Sequence, residues 1–340
     1  MADNWLVYSL AEFRELIFAC FRVAGVHSVV EVGAEHGTFT RELVAWAGEN
    51  DGHVYCVEPQ PGPEVLALSE RSDRVSLLRG RSPQALLELP ATDAYLLDGD
   101  HNYYTVVNEL RTIAEKAREA SQPFLVILQD IGWPCGRRDF YYAPDALPEA
   151  AVHPYSFEKG VTLDSSKLIE GGFRSQGQFA WALQEGGPAN GVLTALEDFL
   201  EEHPELVFAN VPCIFGLAVV YPKDASFSEA LSDLLRPLDN NELLQRLEEN
   251  RLRLYLRLLE LQDERAAEQG ELHRVRQEVD AARAQLGETM GQLAGREGEL
   301  RDLRAHLANI ESHPVYRALM LVRRGLRLLM APLRSLRRMP

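Results

Sequence analysis

Cysteine is scarce in this chain of 340 residues, and the four present, Cys20, Cys56, Cys135 and Cys213, lie far apart with no C-x-x-C pair. That spacing speaks against both a zinc cage and a disulfide framework, and it fits a reducing compartment. Runs of 18 apolar residues are absent, as is a basic start followed by an apolar stretch and a small-residue cleavage site. Neither a membrane span nor a secretion signal is expected, and the cytoplasm is the expected location. Positive charge is also short: 35 Lys and Arg against 51 Asp and Glu leave −16, which disfavours nucleic acid as a partner. The last 29 residues lack the opposite sign. From Ser312 to Pro340 there is no carboxylate but seven arginines (Arg317, Arg323, Arg324, Arg327, Arg334, Arg337, Arg338), so this tail is +7 and residues 1–311 carry −23. The chain reads as an acidic body with a basic tail.

Up to about residue 225, short β-branched runs alternate with amphipathic helical stretches, the pattern of a parallel sheet covered by helices on both faces. Strands are expected at 28–32, 53–58, 74–79, 93–98 and 124–129, with a late pair within 206–211 and 214–221. Helices fit 10–24, 38–48, 62–69, 83–89 and 104–120. The expected fold class is α/β: a doubly wound, seven-stranded, mostly parallel sheet closed by a hairpin, followed by a long α-helical coiled coil. Between residues 133 and 190 the periodicity fails in a stretch rich in Gly, Pro and aromatics. A long insertion after a strand end is usually functional, and it reads as a substrate lid.

Residues 226–241 read as a linker, and a heptad pattern occupies 242–311. Of its twenty a and d positions between Leu244 and Ile310, fifteen are Leu, Val, Ile or Ala; the exceptions are Arg251, Arg265, Glu268, Thr289 and Arg296. A seam sustained this long predicts an oligomerising stalk joining copies of the chain. In the tail, residues 312–340, Ala318, Leu319, Val322, Leu326, Leu329, Leu333 and Leu336 share one helical face opposite the arginines. An apolar face against an all-arginine polar face suits an anionic membrane surface, while the charge prevents spanning.

The segment VVEVGAEHGTFTREL carries the most specific chemistry: a strand ending in Glu31, Val32 and Gly33, then Gly37, then a helix opening at Thr38. The two glycines permit a tight turn and close ligand approach, and the helix N-terminus offers free N–H groups. The spacing is G-x-x-x-G, without the third glycine of a dinucleotide site. Glu31 stands where a carboxylate can anchor a cationic amino-acid group. Further on, VYCVEP puts Glu58 at a strand end, where an acid can accept both ribose hydroxyls. A nucleoside joined to a cationic amino acid describes S-adenosylmethionine.

Through EVGAEHG, VYCVEP, GRSPQALL and YLLDGDHNYY the chain resembles the class I S-adenosylmethionine-dependent methyltransferases over roughly residues 10–222. The resemblance implies a Rossmann-like methyltransferase fold, methionine beside Gly33 and Gly37, ribose on Glu58 and adenine near Ser82. The fourth strand ends in Asp98-Gly99-Asp100-His101 and the fifth in Gln129-Asp130, so these groups can converge on one crevice. Asp98 belongs to both the cofactor and the catalytic sets; His101 or Asp98 can accept a hydroxyl proton, and Asp98 with Asp130 can hold Mg²⁺. DGDH-x-Y is similar to a subgroup of small-molecule and sugar O-methyltransferases, several of which use Mg²⁺. Catechol-type relatives have Asp-Asn after the fifth strand, where this chain has Asp130-Ile131. Arg137, Arg138, Tyr141, Tyr142, Lys159 and Arg174 are expected to line the acceptor side. The whole arrangement resembles bacterial surface-glycan assembly proteins, which implies a sugar or glycan acceptor at the inner face of a membrane, or alternatively a catalytically inactive scaffold tethering such enzymes.

Overall fold

A computed structural model describes residues 6–175 and 177–335, apart from the side chains of 328–335. The chain divides into two units, Met1–Asp263 and Glu264–Pro340. In the first, Leu10–Phe13 form a 3₁₀ turn capped by Ser9, and α1 (Arg14–Ala24) follows. Then come β1 (Ser28–Val32), α2 (Thr38–Glu49), β2 (His53–Val57), α3 (Pro63–Arg71), β3 (Val75–Leu78), α4 (Gln84–Glu88), β4 (Ala94–Leu97), α5 (Tyr103–Ala120) and β5 (Leu125–Gln129). The insertion holds β6 (Phe140–Tyr141), β7 (Tyr155–Ser156), β8 (Gly160–Thr162), β9 (Ser165–Ile169) and β10 (Ala180–Ala182). The body continues with α6 (Val192–Glu202), β11 (Leu206–Val211), β12 (Leu217–Pro222) and α7 (Ser228–Leu235).

The main sheet has seven strands in the order β11-β12-β5-β4-β1-β2-β3. All neighbours are parallel except β12, antiparallel to both β5 and β11. The central strands are buried on both faces, as near-continuous apolar runs such as AYLL and LVILQ require. One face packs Phe13 from the 3₁₀ turn, Ile17 and Phe21 from α1, and Leu43 and Trp46 from α2, with Leu231 and Leu235 from α7. The other packs Leu110, Ile113, Leu196 and Phe199 from α5 and α6. The sheet and the 28–32 and 206–211 boundaries match the sequence reading.

Several expectations need correction. The last strand starts at Leu217, because Ile214, Phe215 and Gly216 adopt φ of 50°, 65° and 86° and make a turn. The insertion is not irregular: β6-β10-β7 form a small sheet and β8-β9 a hairpin, in strands mostly too short to show a period of two. Residues 226–241 are no linker, since α7 buries Leu231 and Leu235 in the core. The first turns of α8 (Glu242–Ser312) also belong to the body: Leu252 is buried, Leu244 packs on the core, and the Tyr255 and Phe173 rings meet edge to face. Arg251, an exception in the heptad, faces the body for this reason.

In the second unit, α8 exposes Leu272, Val275, Val279, Leu286, Leu293, Leu300, Leu303, Leu307 and Ile310. It ends at Ser312, and Pro314, which lacks an N–H, opens α9 (Pro314–Ser335). Leu319, Val322 and Leu326 are exposed on α9. Leu336, Arg337 and Arg338 lie outside the described residues, as do the side chains of Leu329, Leu333 and Arg334. Among the described residues no helix is long and apolar enough to cross a membrane.

Candidate active site

The strand order reverses between β1 and β4, and the crevice beyond their C-terminal ends is where an open α/β sheet binds ligands. Gly33 makes that crevice possible. At φ 91°, a Cβ there would lie 2.1 Å from the Asp98 carbonyl oxygen, so only glycine lets the two strand ends meet. Gly37, at φ 80°, caps α2, and the following Thr38 is exposed at the helix N-terminus. Glu35 and His36 point into solvent and pair with each other at 3.3 Å.

Glu31 is buried, and its Oε2 accepts from Thr40 Oγ1 at 2.7 Å and Cys56 Sγ at 3.4 Å. It ties α2 to β1 and β2, so only Oε1 is left for the expected amino-acid contact. Burial pushes it up to about 7. Glu58 accepts from the backbone N–H of Glu35 at 3.0 Å and of Gln60 at 2.9 Å, one bond to each oxygen. A carboxylate oxygen has two acceptor sites, so each keeps one for a ribose hydroxyl. Ser82 donates its hydroxyl to Glu109, a buried acid on α5; its lone pairs, not its proton, are what it could offer adenine.

Asp98, His101 and Asp130 converge: one ligand atom from each lies within 4.8 Å of the others. His101 Nδ1 is 3.3 Å from Asp130 Oδ2. Burial first, and then Asp130, pushes Asp98 well above the usual carboxylate range. Asp130 rises to about 7 by burial, opposed by the Arg251 guanidinium. Burial lowers His101 to about 4, which keeps its imidazole neutral at physiological pH. Asp100 stands beside them, raised to about 6 by burial, with its Oδ1 buried and without a hydrogen-bond partner.

The expected acceptor wall fares differently. Arg137 forms a bidentate pair with Glu197 at 2.5 and 2.7 Å. Arg138, 1% exposed, donates to the Ala182 and Ser166 carbonyls. Arg174 pairs with Asp263 and Lys159 with Glu170. Tyr141 is buried and donates to Asp139 at 2.8 Å. Arg138 and Tyr141 serve the insertion's own packing, as buried polar groups must find partners, while Arg137 and Arg174 tie the insertion to α6 and α8 and the Lys159 pair lies at the surface. Tyr142 is placed differently from these: it is half exposed, with its ring 6.2 Å from His101 and 4.7 Å from Phe140. Sequence reasoning missed Asp139, fully buried, which accepts from Tyr103 N, Gly191 N and Tyr141 Oη and knits the insertion to α5 and α6. Its signal was a lone acid inside the aromatic run RRDFYY.

A family model described as a methyltransferase domain matches residues 30–124. The chain is 33% identical over 96 residues to a protein described as a probable cobalt-precorrin-6B C(15)-methyltransferase (decarboxylating) of Pyrobaculum calidifontis, over 26% of this chain and 48% of that one. It thus spans about half the length of the curated relative it matches. Similar solved structures include an S-adenosylhomocysteine-bound methyltransferase of Podospora anserina (17% identity, 66% of this chain, 83% of that one, TM-score 0.40). Another is the O-methyltransferase TomG of Streptomyces achromogenes, involved in tomaymycin synthesis (11% identity, 64% and 82%, TM-score 0.37). The family match runs from within β1 to the edge of β5, and the glycine turn, Glu58 and the Asp98 strand end all lie inside it, so residues 30–124 of the body are similar to a methyltransferase domain.

Proposed function

We propose that this protein transfers the methyl group of S-adenosylmethionine to a hydroxyl oxygen of a sugar, a glycan or another small molecule. The observation that carries the choice of oxygen is the convergence of Asp98, His101 and Asp130 beside the glycine turn. The donor brings an electrophilic methyl on a sulfonium sulfur: an O–C bond forms as the S–C bond breaks, and the hydroxyl proton must leave. His101 is neutral and buried, with Nδ1 oriented by Asp130, so its Nε2 is the atom that takes that proton. Two carboxylates and an imidazole within 4.8 Å also fit a hard divalent cation, and Asp98 and Asp130 would hold Mg²⁺ there. Bound at this place, Mg²⁺ would orient the acceptor hydroxyl and lower its pKa. Tyr142 offers a ring face for the acceptor, with the insertion as its lid.

In the same reading the seam of α8 beyond residue 263 binds a second copy of this chain, and α9 docks on an anionic membrane surface. The enzyme then works as a peripheral protein in surface-glycan or secondary-metabolite assembly. The test is to incubate full-length protein with methyl-labelled S-adenosylmethionine and extracts of its source, and to identify the labelled product. His101→Gln should slow labelling by about 10²–10⁴-fold while leaving S-adenosylhomocysteine affinity by calorimetry unchanged. Binding of the cofactor with no labelled product would favour a retired, scaffolding site; absence of cofactor binding would sink the proposal. Full activity after chelation would rule out an essential cation.

A further inference from the structure

The first turns of α8 meet the β11–β12 turn and the segment that precedes α1. Glu248 accepts from the backbone N–H groups of Ile214 at 3.0 Å and Phe215 at 2.8 Å, two of the three left-handed residues of the β11–β12 turn. Arg251 forms a bidentate pair with the same Glu248, at 2.7 and 2.6 Å, and its guanidinium carbon lies 4.6 Å from the centre of the Phe215 ring. Its remaining nitrogen donates to the carbonyl of Val7 at 3.0 Å. The next carbonyl, of Tyr8, accepts from Gln129, the residue immediately before Asp130. On the other side, the Phe215 carbonyl accepts from Gly132 N at 2.6 Å. Asp130 itself sits at φ 62°, a conformation a non-glycine residue keeps only when its surroundings enforce it.

Asp130 is therefore bracketed on both sides by segments that the Glu248–Arg251 pair holds. We infer that Glu248 and Arg251 are positioning residues of the active site, which fasten the Val7–Tyr8 segment and the Ile214–Phe215 turn around Asp130 and so aim its carboxylate at His101. The inference rests on the proposed function for the meaning of that dyad, and on geometry alone for the fastening. Lysine at 251 would keep a charge for Glu248 but could not serve Glu248 in bidentate fashion and Val7 together.

The experiment compares full-length wild type, Arg251→Met, Arg251→Lys and Glu248→Gln by hydrogen exchange with mass spectrometry, and by ¹⁵N NMR of the histidine rings, with His101 assigned from His101→Gln. Arg251→Met should raise exchange about tenfold or more in peptides covering 6–9, 129–133 and 213–217, leave 28–43 unchanged, and move the His101 ring resonances. Glu248→Gln should act most on 213–217, and Arg251→Lys should give a partial effect in the same segments, which serves if the methionine variant does not fold. Uniform loss of protection across the body, or an unmoved His101 resonance, would overturn the inference and leave the pair as packing. Failure of the wild type to bind S-adenosylhomocysteine would instead count against the proposed function, since these exchange and NMR readouts do not require it.

Discussion

Burial, more than any charged neighbour, sets the protonation of the acids around the crevice. Glu109 is the clearest case: fully enclosed on α5, it is raised to about 8, with Ser82 as its hydrogen-bonding partner. Its folded value lies above its unfolded one, so the protonated form favours the folded state. That contribution is complete below the unfolded value near 4.5 and disappears as pH rises through about 8. Glu109→Gln keeps an acceptor for Ser82 and cannot ionise. Thermal denaturation followed against pH should show the variant close to wild type at pH 5 and more stable at pH 8–9, by a few kcal/mol; a constant difference across that range would refute the assignment. Glu109 was illegible in the sequence because it falls on the same helical face as the apolar Val106, Leu110 and Ile113, where a carboxyl gives no periodic signal. Gly33, Glu58 and Asp98 were legible for the opposite reason. Each stands at a strand end, where the break in an apolar run and the motif coincide.

Among the elements, the long strands and helices of the sheet announced themselves, and the short ones did not. The two- and three-residue strands of the insertion have no measurable period, and their role became visible only through Asp139, Arg138 and Tyr141, which satisfy one another or nearby carbonyls. The heptad of α8 was legible, but not where it stops being a seam. Before Asp263 one face, through Leu244, Leu252 and Tyr255, packs on the body while Leu247, Leu254 and Leu261 stay exposed; from Leu272 onward the apolar positions stand open, Leu286 being 61% and Leu293 63% exposed. Leucines left in water along a whole helix face cost stability that a partner helix recovers, roughly 25 cal/mol per Å² of apolar surface covered. The double variant Leu286→Asp with Leu293→Asp should therefore sediment as a monomer where wild type sediments as an oligomer, with unchanged affinity for S-adenosylhomocysteine. Wild type sedimenting as a monomer would remove the seam's proposed role.

At the scale of the molecule, the net charge of −16 conceals two objects of opposite sign. In the proposed membrane docking an acidic body is repelled by an anionic bilayer, and the carboxylate-free tail is the part that would approach one, each arginine near the surface contributing about 1 kcal/mol. Full-length protein should float with anionic vesicles, lose that association when residues 312–340 are removed, and lose it progressively as salt is raised. Flotation that survives the deletion would assign the contact elsewhere. The seven arginines were plain in the sequence; what they meet was not, because lipid headgroups and an acidic protein satisfy a guanidinium by the same charge.

The border between body and stalk falls inside α8 rather than in a loop. Natural recombination and the laboratory bench both tend to cut between domains at loops, and a cut at Asn241 would discard the three helical turns that Ile214, Phe215 and Val7 lean on. A truncation after residue 263 keeps those contacts, so the compact body includes the first turns of a helix that the sequence alone assigns wholly to the seam.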